Sequence, residues 1–219
     1  MKDLLTIIDE NQGTCFDSYK RIAEKLMNGY VLQVRRKLYR IVDCEFYYHS
    51  KNHEDPYVHG HERQKESTGE WYFHGSGLDI TLSNGESYGG ILIRGIAEIK
   101  SPAPPERADA IIGPLNVCTE IFKQIGSVVN EEPVKFCLVD MTGDLMFMRP
   151  TQIFSVPRVG LNGTLHNDND YCNRPYRFLT FLHLPHRETE KVKKYITEVA
   201  KVIDIDQYKK YYNFKPNDQ

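Results

Sequence analysis

No stretch of this 219-residue chain reaches the roughly 18 consecutive apolar residues of a membrane-crossing helix, so no membrane span is expected. Met1 to Gly13 carry Asp3, Asp9 and Glu10 around a short apolar cluster and lack the basic start of a secretion signal. A cytoplasmic protein is expected. An excess of one charge is lacking too. The net charge is −2 and the pI about 6.4, which alone speaks only weakly against a dedicated nucleic-acid binder. Internal repeats and low-complexity segments are absent. Cysteine is sparse and odd in number, with Cys15, Cys44, Cys118, Cys137 and Cys172 widely spaced in mostly apolar segments. That pattern suits reduced, buried thiols better than a disulfide framework.

What remains is the composition of an ordinary globular protein, 40% hydrophobic and 26% charged, long enough to bury one substantial core. Phe16, Ile22, Ala23, Leu26 and Met27 recur at helical spacing, and Asn28-Gly29 supplies a stop. Strands are predicted at Tyr30 to Arg35, Tyr39 to Tyr48, Trp71 to His74, Leu78 to Leu82 and Gly90 to Ile96. Lys100 to Asp109, with Pro102, Pro104 and Pro105, is read as a loop inside one domain. Gly113-Pro114 opens a second helix carrying Leu115, Cys118, Ile121, Phe122 and Ile125, and Gly126 closes it. Further strands are predicted at Val134 to Met141, Leu145 to Met148 and Tyr176 to His183, and a last amphipathic helix from Glu188 to Ile203. Strands grouped centrally with helices around them indicate an α+β class.

The segment Tyr39-Arg40-Ile41-Val42-Asp43-Cys44-Glu45-Phe46-Tyr47-Tyr48 stands out chemically. Strict alternation puts Val42, Cys44, Phe46 and Tyr48 on one face and Ile41, Asp43, Glu45 and Tyr47 on the other. A carboxylate on an otherwise apolar strand is costly to bury unless hydrogen-bonded, and partial desolvation raises its pKa toward values useful for acid/base work. Glu45 is therefore the leading catalytic candidate. If the strand lies at an edge, Glu45 simply faces water.

Two other groupings carry chemistry. Arg149, Arg158, Arg174 and Arg177 form an arginine-rich set suited to phosphate, because the guanidinium fork donates two hydrogen bonds at once; solvated faces are the bland alternative. His49, His53, His59 and His61, with Glu54, Asp55 and Glu62 between them, are residue types that bind zinc. Their spacing matches no helical zinc motif, and Pro56 marks the segment as loop.

The order of segments resembles the alkyladenine (3-methyladenine) DNA glycosylases, which excise damaged purines. Ala23 to Leu32 is similar to that family's helix-to-strand entry, and Arg40-Ile41-Val42-Asp43-Cys44-Glu45-Phe46-Tyr47 to its Ile-Val-Glu, any residue, Glu-Ala-Tyr hallmark. Asp55 to His59, Ile91 to Ile96 and Gly113 to Cys118 parallel later family segments, as do Pro157-Arg158-Val159-Gly160 and Arg174-Pro175-Tyr176-Arg177-Phe178. The resemblance runs from about Ile22 to Phe181, and its specificity lies in the common order of individually weak motifs.

It implies one domain over residues 1–219, with an N-terminal extension over 1–14 and the proline-rich loop near 100–110 internal. The core would be a mixed, mostly antiparallel curved sheet surrounded by helices. The implied partner is double-stranded DNA carrying a damaged purine, bound by a monomer that needs no cofactor or metal. Glu45 matches the water-activating glutamate, and Arg94 an arginine that orients the water and nucleotide. Tyr47 and His59 match the residues that sandwich the flipped base. Arg158, Arg174 and Arg177 would contact DNA. His74 stands where the family has its tyrosine wedge, and Thr81 replaces an asparagine that helps reject normal guanine. The loop between His59 and Trp71 is shorter than the family's. These departures fit a glycosylase of altered preference, or a relative that binds a nucleobase without cleaving it.

Overall fold

The computed structural model describes residues 15–100, 103–127, 133–141, 151–161, 163 and 170–198. The first helix, α1 (Cys15–Gly29), leads into β1 (Tyr30–Val34), β2 (Lys37–Ser50) and the two-residue β3 (His53–Glu54). A short helix, α2 (Glu62–Glu66), precedes β4 (Trp71–His74), β5 (Gly77–Thr81), β6 (Tyr88–Glu98) and β7 (Ala110–Ile112). Then come α3 (Pro114–Ile125), β8 (Phe136–Asp140), β9 (Phe154–Val156), β10 (Arg177–Leu179) and α4 (Thr189–Glu198). The class is α+β as expected, a curled antiparallel sheet with helices against it.

The strand order β4-β5-β6-β2-β1-β8 makes β2 the spine. One edge of β2 pairs with β6 along most of its length, while β1, β10 and β3 share the other. The ends of the sheet approach each other: Trp71 on β4 and Phe136 on β8 have ring centroids 4.6 Å apart. Of the apolar stripe predicted for α1, Ile22, Ala23, Leu26 and Met27 are buried and Phe16 is half-buried against the core; Tyr19, which was not predicted, is buried with them and stacks on Phe46 of the sheet. Helix α3 begins and ends where its punctuation predicts. Gly113 adopts φ +106° before Pro114, and Gly126, at φ +65°, donates its N–H to the Phe122 carbonyl.

One irregularity corrects the strict alternation expected along β2. Ile41 pairs with Ile96, Asp43 with Gly95 and Cys44 with Ile93, so Val42 is an extra residue on β2 and Arg94 an extra residue on β6. A bulge exchanges faces. Ile41 joins Cys44, Phe46 and Tyr48 in the main core, and Val42 packs with Ala97, Phe181 and Leu184 on the other side. Gly95 permits the close approach, since a Cβ there would lie 3.0 Å from the Asp43 Cβ and 2.9 Å from Ile112 Cδ1.

Several expected boundaries move. The strand predicted at Tyr176 to His183 is only Arg177–Leu179, and α2, β3, β7 and β9 were not expected. The strand predicted at Leu145 to Met148, the end of the last helix beyond Glu198, and residues 1–14 lie outside the described residues. Among the described residues no helix is long and apolar enough to cross a membrane. Cys15, Cys44 and Cys118 are buried and Cys137 and Cys172 half-buried.

Candidate active site

Register places the chemistry in rows across the sheet. Leu92 on β6 pairs with Glu45 on one side and Asp79 on the other; Asp79 pairs with Tyr72, and Glu45 with Arg177. In antiparallel pairs, residues directly opposite share a face. Tyr72, Asp79, Leu92, Glu45 and Arg177 therefore form one line on the face opposite the main core. The next row holds Thr81, Gly90 and Tyr47. Strand spacing puts the backbones of Glu45 and Asp79 about 10 Å apart, with Leu92 between.

Glu45 has a strand on each side and no exposed surface, so the edge-strand alternative does not apply. Its carboxylate is held by three donors. The Val159 backbone N–H reaches Oε1 at 2.7 Å; the Tyr47 hydroxyl and Arg94 Nη1 reach Oε2 at 2.8 and 3.1 Å. Burial pushes the Glu45 pKa up, the Arg94 charge and the Val159 N–H pull it back, and the net direction is upward. The bulge on β6 explains why Arg94 can do this, because an extra residue re-aims its side chain.

Above this group lies a cavity of about 330 Å³, lined by Tyr47, Tyr57, His59, Gln64, His74, Asp79, Leu92, Arg94 and others. That volume is at the small end for ligand pockets. Glu45 itself sits one layer behind, reached through Tyr47 and Arg94. His74 stacks on Tyr72 with centroids 5.1 Å apart and meets His59 edge-on at 5.3 Å. Tyr47, Tyr57, His59 and His74 contribute aromatic rings to its lining. Tyr57, Gln64 and Asp79 were missed by sequence reasoning. For Asp79 a signal was present, since Leu78-Asp79-Ile80-Thr81-Leu82 carries the lone-carboxylate pattern that drew attention to Glu45.

The predicted residues divide. Arg94, Tyr47, His59 and His74 line the cavity, and Glu45 bonds to the first two from behind it. His74 lies in its wall with a side chain only 11% exposed, which does not suit a projecting wedge. Thr81, expected to contact the substrate, is buried and is not among the residues that line the cavity; its hydroxyl receives the Ser67 hydroxyl and the Glu70 N–H. Two arginines expected at a DNA surface are inside the protein. Arg158 forms a two-pronged ion pair with Asp55, at 2.6 and 3.1 Å, and Arg177 does the same with Asp43, at 2.9 and 2.6 Å. A buried guanidinium needs a carboxylate, and both are spent there. Arg174 is half-buried, its guanidinium 3.7 Å from the Tyr171 ring centre and bonded to the Tyr176 hydroxyl. Arg149 lies outside the described residues.

The loop histidines scatter. His53 is buried against Tyr19, Tyr171 and Tyr176, His49 faces the Asp55 carbonyl, and His61 caps α2. Among the described residues no three His, Cys, Asp or Glu side chains are grouped to hold a metal ion.

Fold and site together define a mixed α+β domain whose central strand carries a buried glutamate behind a small, ring-lined cavity. No protein-family model matches the chain. It is similar to an uncharacterized protein of Acanthamoeba polyphaga mimivirus, 28% identical in an alignment 197 positions long that covers 75% of this chain and 87% of that protein.

Proposed function

We propose that the protein is a glycosylase of the alkyladenine type, hydrolysing the N-glycosidic bond of a damaged purine flipped out of DNA. The observation that carries this reading is the Glu45 cluster: a buried carboxylate with a raised pKa, held by Arg94, Tyr47 and the Val159 N–H, behind a cavity of nucleobase scale. The order of sequence motifs that led to Glu45, Tyr47, His59 and Arg94 supports it, since Tyr47, His59 and Arg94 line this cavity and Glu45 lies directly behind Tyr47 and Arg94.

The chemistry follows from the arrangement. A purine sandwiched by Tyr47 and His59 is held with its sugar toward Glu45, and the carboxylate takes a proton from water as that water attacks the sugar carbon. A raised pKa suits the task, because a general base works best when its pKa is near the working pH. Tyr47 is the gate in this scheme. Its hydroxyl occupies Oε2, so stacking a base on its ring and freeing that oxygen are coupled. Arg94 holds the ionised carboxylate in place. Among the described residues no lysine lines the cavity, so water, with no covalent enzyme–sugar link, is the assigned nucleophile.

The test is single-turnover base release by wild type and by Glu45→Gln. Release by the wild type alone supports the assignment, and equal release by both removes Glu45 from it. A second reading, a protein that binds the base and does not cleave it, is favoured by the complete burial of Glu45. It predicts damaged-base binding by both forms and release by neither.

A further inference from the structure

Three aromatic rings form a ladder that runs from the surface into the cavity wall. Tyr72 and His74 lie two positions apart on β4 and share a face, with ring centroids 5.1 Å apart and planes inclined by 19°. His61, the N-cap of α2, extends the stack, its ring 5.2 Å from that of Tyr72 and inclined by 27°. His74, at the inner end, lines the cavity. His61, at the outer end, is exposed, and among the described residues Tyr72 is its one ring contact. An exposed ring that ends a stack offers a planar surface to one more ring, and every nucleobase presents such a face.

The His61 side chain has a second task that can be told apart from stacking. Its Nδ1 accepts the Arg63 backbone N–H at 3.2 Å and so caps α2, the helix that carries Gln64 into the cavity wall. Asparagine caps a helix without supplying a ring.

The same region lacks what extraction from a duplex calls for. Drawing a base out of a double helix costs its pairing and stacking, and a side chain pushed between the bases offsets that cost. Nothing of the kind projects from the link between β4 and β5: His74 is in the wall, and the exposed residues beyond it are Gly75 and Ser76. Duplex binding also draws on many phosphate contacts. Arg158 and Arg177 are spent on internal ion pairs, and α2 exposes Arg63 between Glu62 and Glu66. An unpaired strand relaxes both demands. Its bases have no pairing to give up, and stacking on a protein ring replaces stacking on a neighbour.

We propose that the protein takes its purine from an unpaired strand in preference to a duplex, with a flanking base stacked on His61 at the outer end of the ladder. The proposal rests on the reading of the cavity as a purine site and names the form of nucleic acid presented to it. Tyr72 and His74 hold the His61 ring in line with the cavity, so the strand is gripped by one base outside and one inside.

The test is fluorescence anisotropy at low salt with a labelled oligonucleotide carrying one 1,N6-ethenoadenine, alone and annealed to its complement. A 2′-fluoro sugar at the lesion keeps the glycosidic bond intact during the measurement. The wild type should bind the single strand about tenfold more tightly or better, because the duplex must first give up a pair. His61→Asn keeps the cap and removes the ring; it should lower single-strand affinity about fivefold or more and leave duplex affinity within about twofold. His61→Phe keeps a ring and removes the cap, and should hold single-strand affinity within about twofold of the wild type. Equal binding of the two forms by the wild type, tighter binding of the duplex, or no binding of either overturns the proposal. So does wild-type single-strand affinity in a folded His61→Asn protein, or an equal loss in His61→Asn and His61→Phe. Should the variants not fold, the wild-type ratio decides alone. The catalytic reading fails separately. A protein that prefers the single strand but releases no base from the same lesion on an ordinary sugar keeps this preference and loses the hydrolase; one that releases base from the duplex as fast as from the single strand keeps the hydrolase and loses this preference.

Discussion

Replacing Arg158 with methionine separates a structural from a DNA-binding role for that residue. Both side chains of the Arg158–Asp55 pair are wholly buried. The guanidinium also donates to the Phe46 and Tyr171 carbonyls, at 3.1 and 3.3 Å, and lies over the rings of Tyr47, Tyr57 and Tyr176 at 4.5, 5.5 and 5.6 Å. Methionine keeps much of the volume and removes every donor. Asp55 is then left buried with the Tyr57 N–H, at 3.1 Å, as its remaining donor. Breaking a buried pair from one side costs about 3–5 kcal/mol, a large share of a domain's typical total of roughly 5–15 kcal/mol. Urea unfolding followed by circular dichroism measures the loss. Adding Asp55→Asn should recover about 1–3 kcal/mol, because the stranded charge is then gone. A phosphate-contacting arginine behaves differently, leaving stability within about 0.5 kcal/mol and lowering the salt slope of DNA binding by about one. A cost under about 1 kcal/mol together with a reduced salt slope would refute the burial argument.

Other consequences concern pH and packing. Burial pushes the Asp43 pKa up, but the Arg177 fork and His186 outweigh it and hold it well below the usual carboxylate range. Its contribution is thus present above the unfolded-state pKa and lost as pH falls through the folded one. Asp43→Asn should cost about 3–5 kcal/mol at pH 7 and progressively less below pH 4, and a cost that grows on acidification would contradict this. Glu45 runs the other way. Its folded pKa is raised, so its contribution is greatest below the unfolded pKa and declines as pH rises through the folded one. Unfolding from pH 4 to 7 should show wild type losing ground to Glu45→Gln as pH increases; a trend in the opposite direction would rule out net desolvation. Gly95→Ala should cost about 1–3 kcal/mol by forcing apart the bulge, and should slow base release by shifting Arg94. Normal stability in that variant would show that the bulge tolerates a Cβ.

The elements with long, strongly periodic patterns were legible in the sequence. The apolar stripe of α1 and the Gly-Pro start and glycine end of α3 each announce themselves locally. Strands of two or three residues, such as β3, β7 and β9, are too short to show a period. The exchange of Ile41 and Val42 was hidden because a bulge depends on the partner strand, here on Arg94 and Gly95 some fifty positions away. Glu45 and its neighbours were legible because one strand carries both the carboxylate and Tyr47. Arg158 and Arg177 were misjudged as surface residues. Their partners, Asp55 and Asp43, lie more than a hundred positions distant, and a lone arginine in sequence does not reveal a carboxylate brought beside it by folding.

The most direct measurement is single-turnover base release at low salt from duplexes carrying hypoxanthine, 1,N6-ethenoadenine or an N-methylated purine, with wild type and Glu45→Gln side by side. The account predicts release by the wild type from at least one of the three and none by the variant. Release by both proteins at the same rate, or by neither from any of the three, would contradict it.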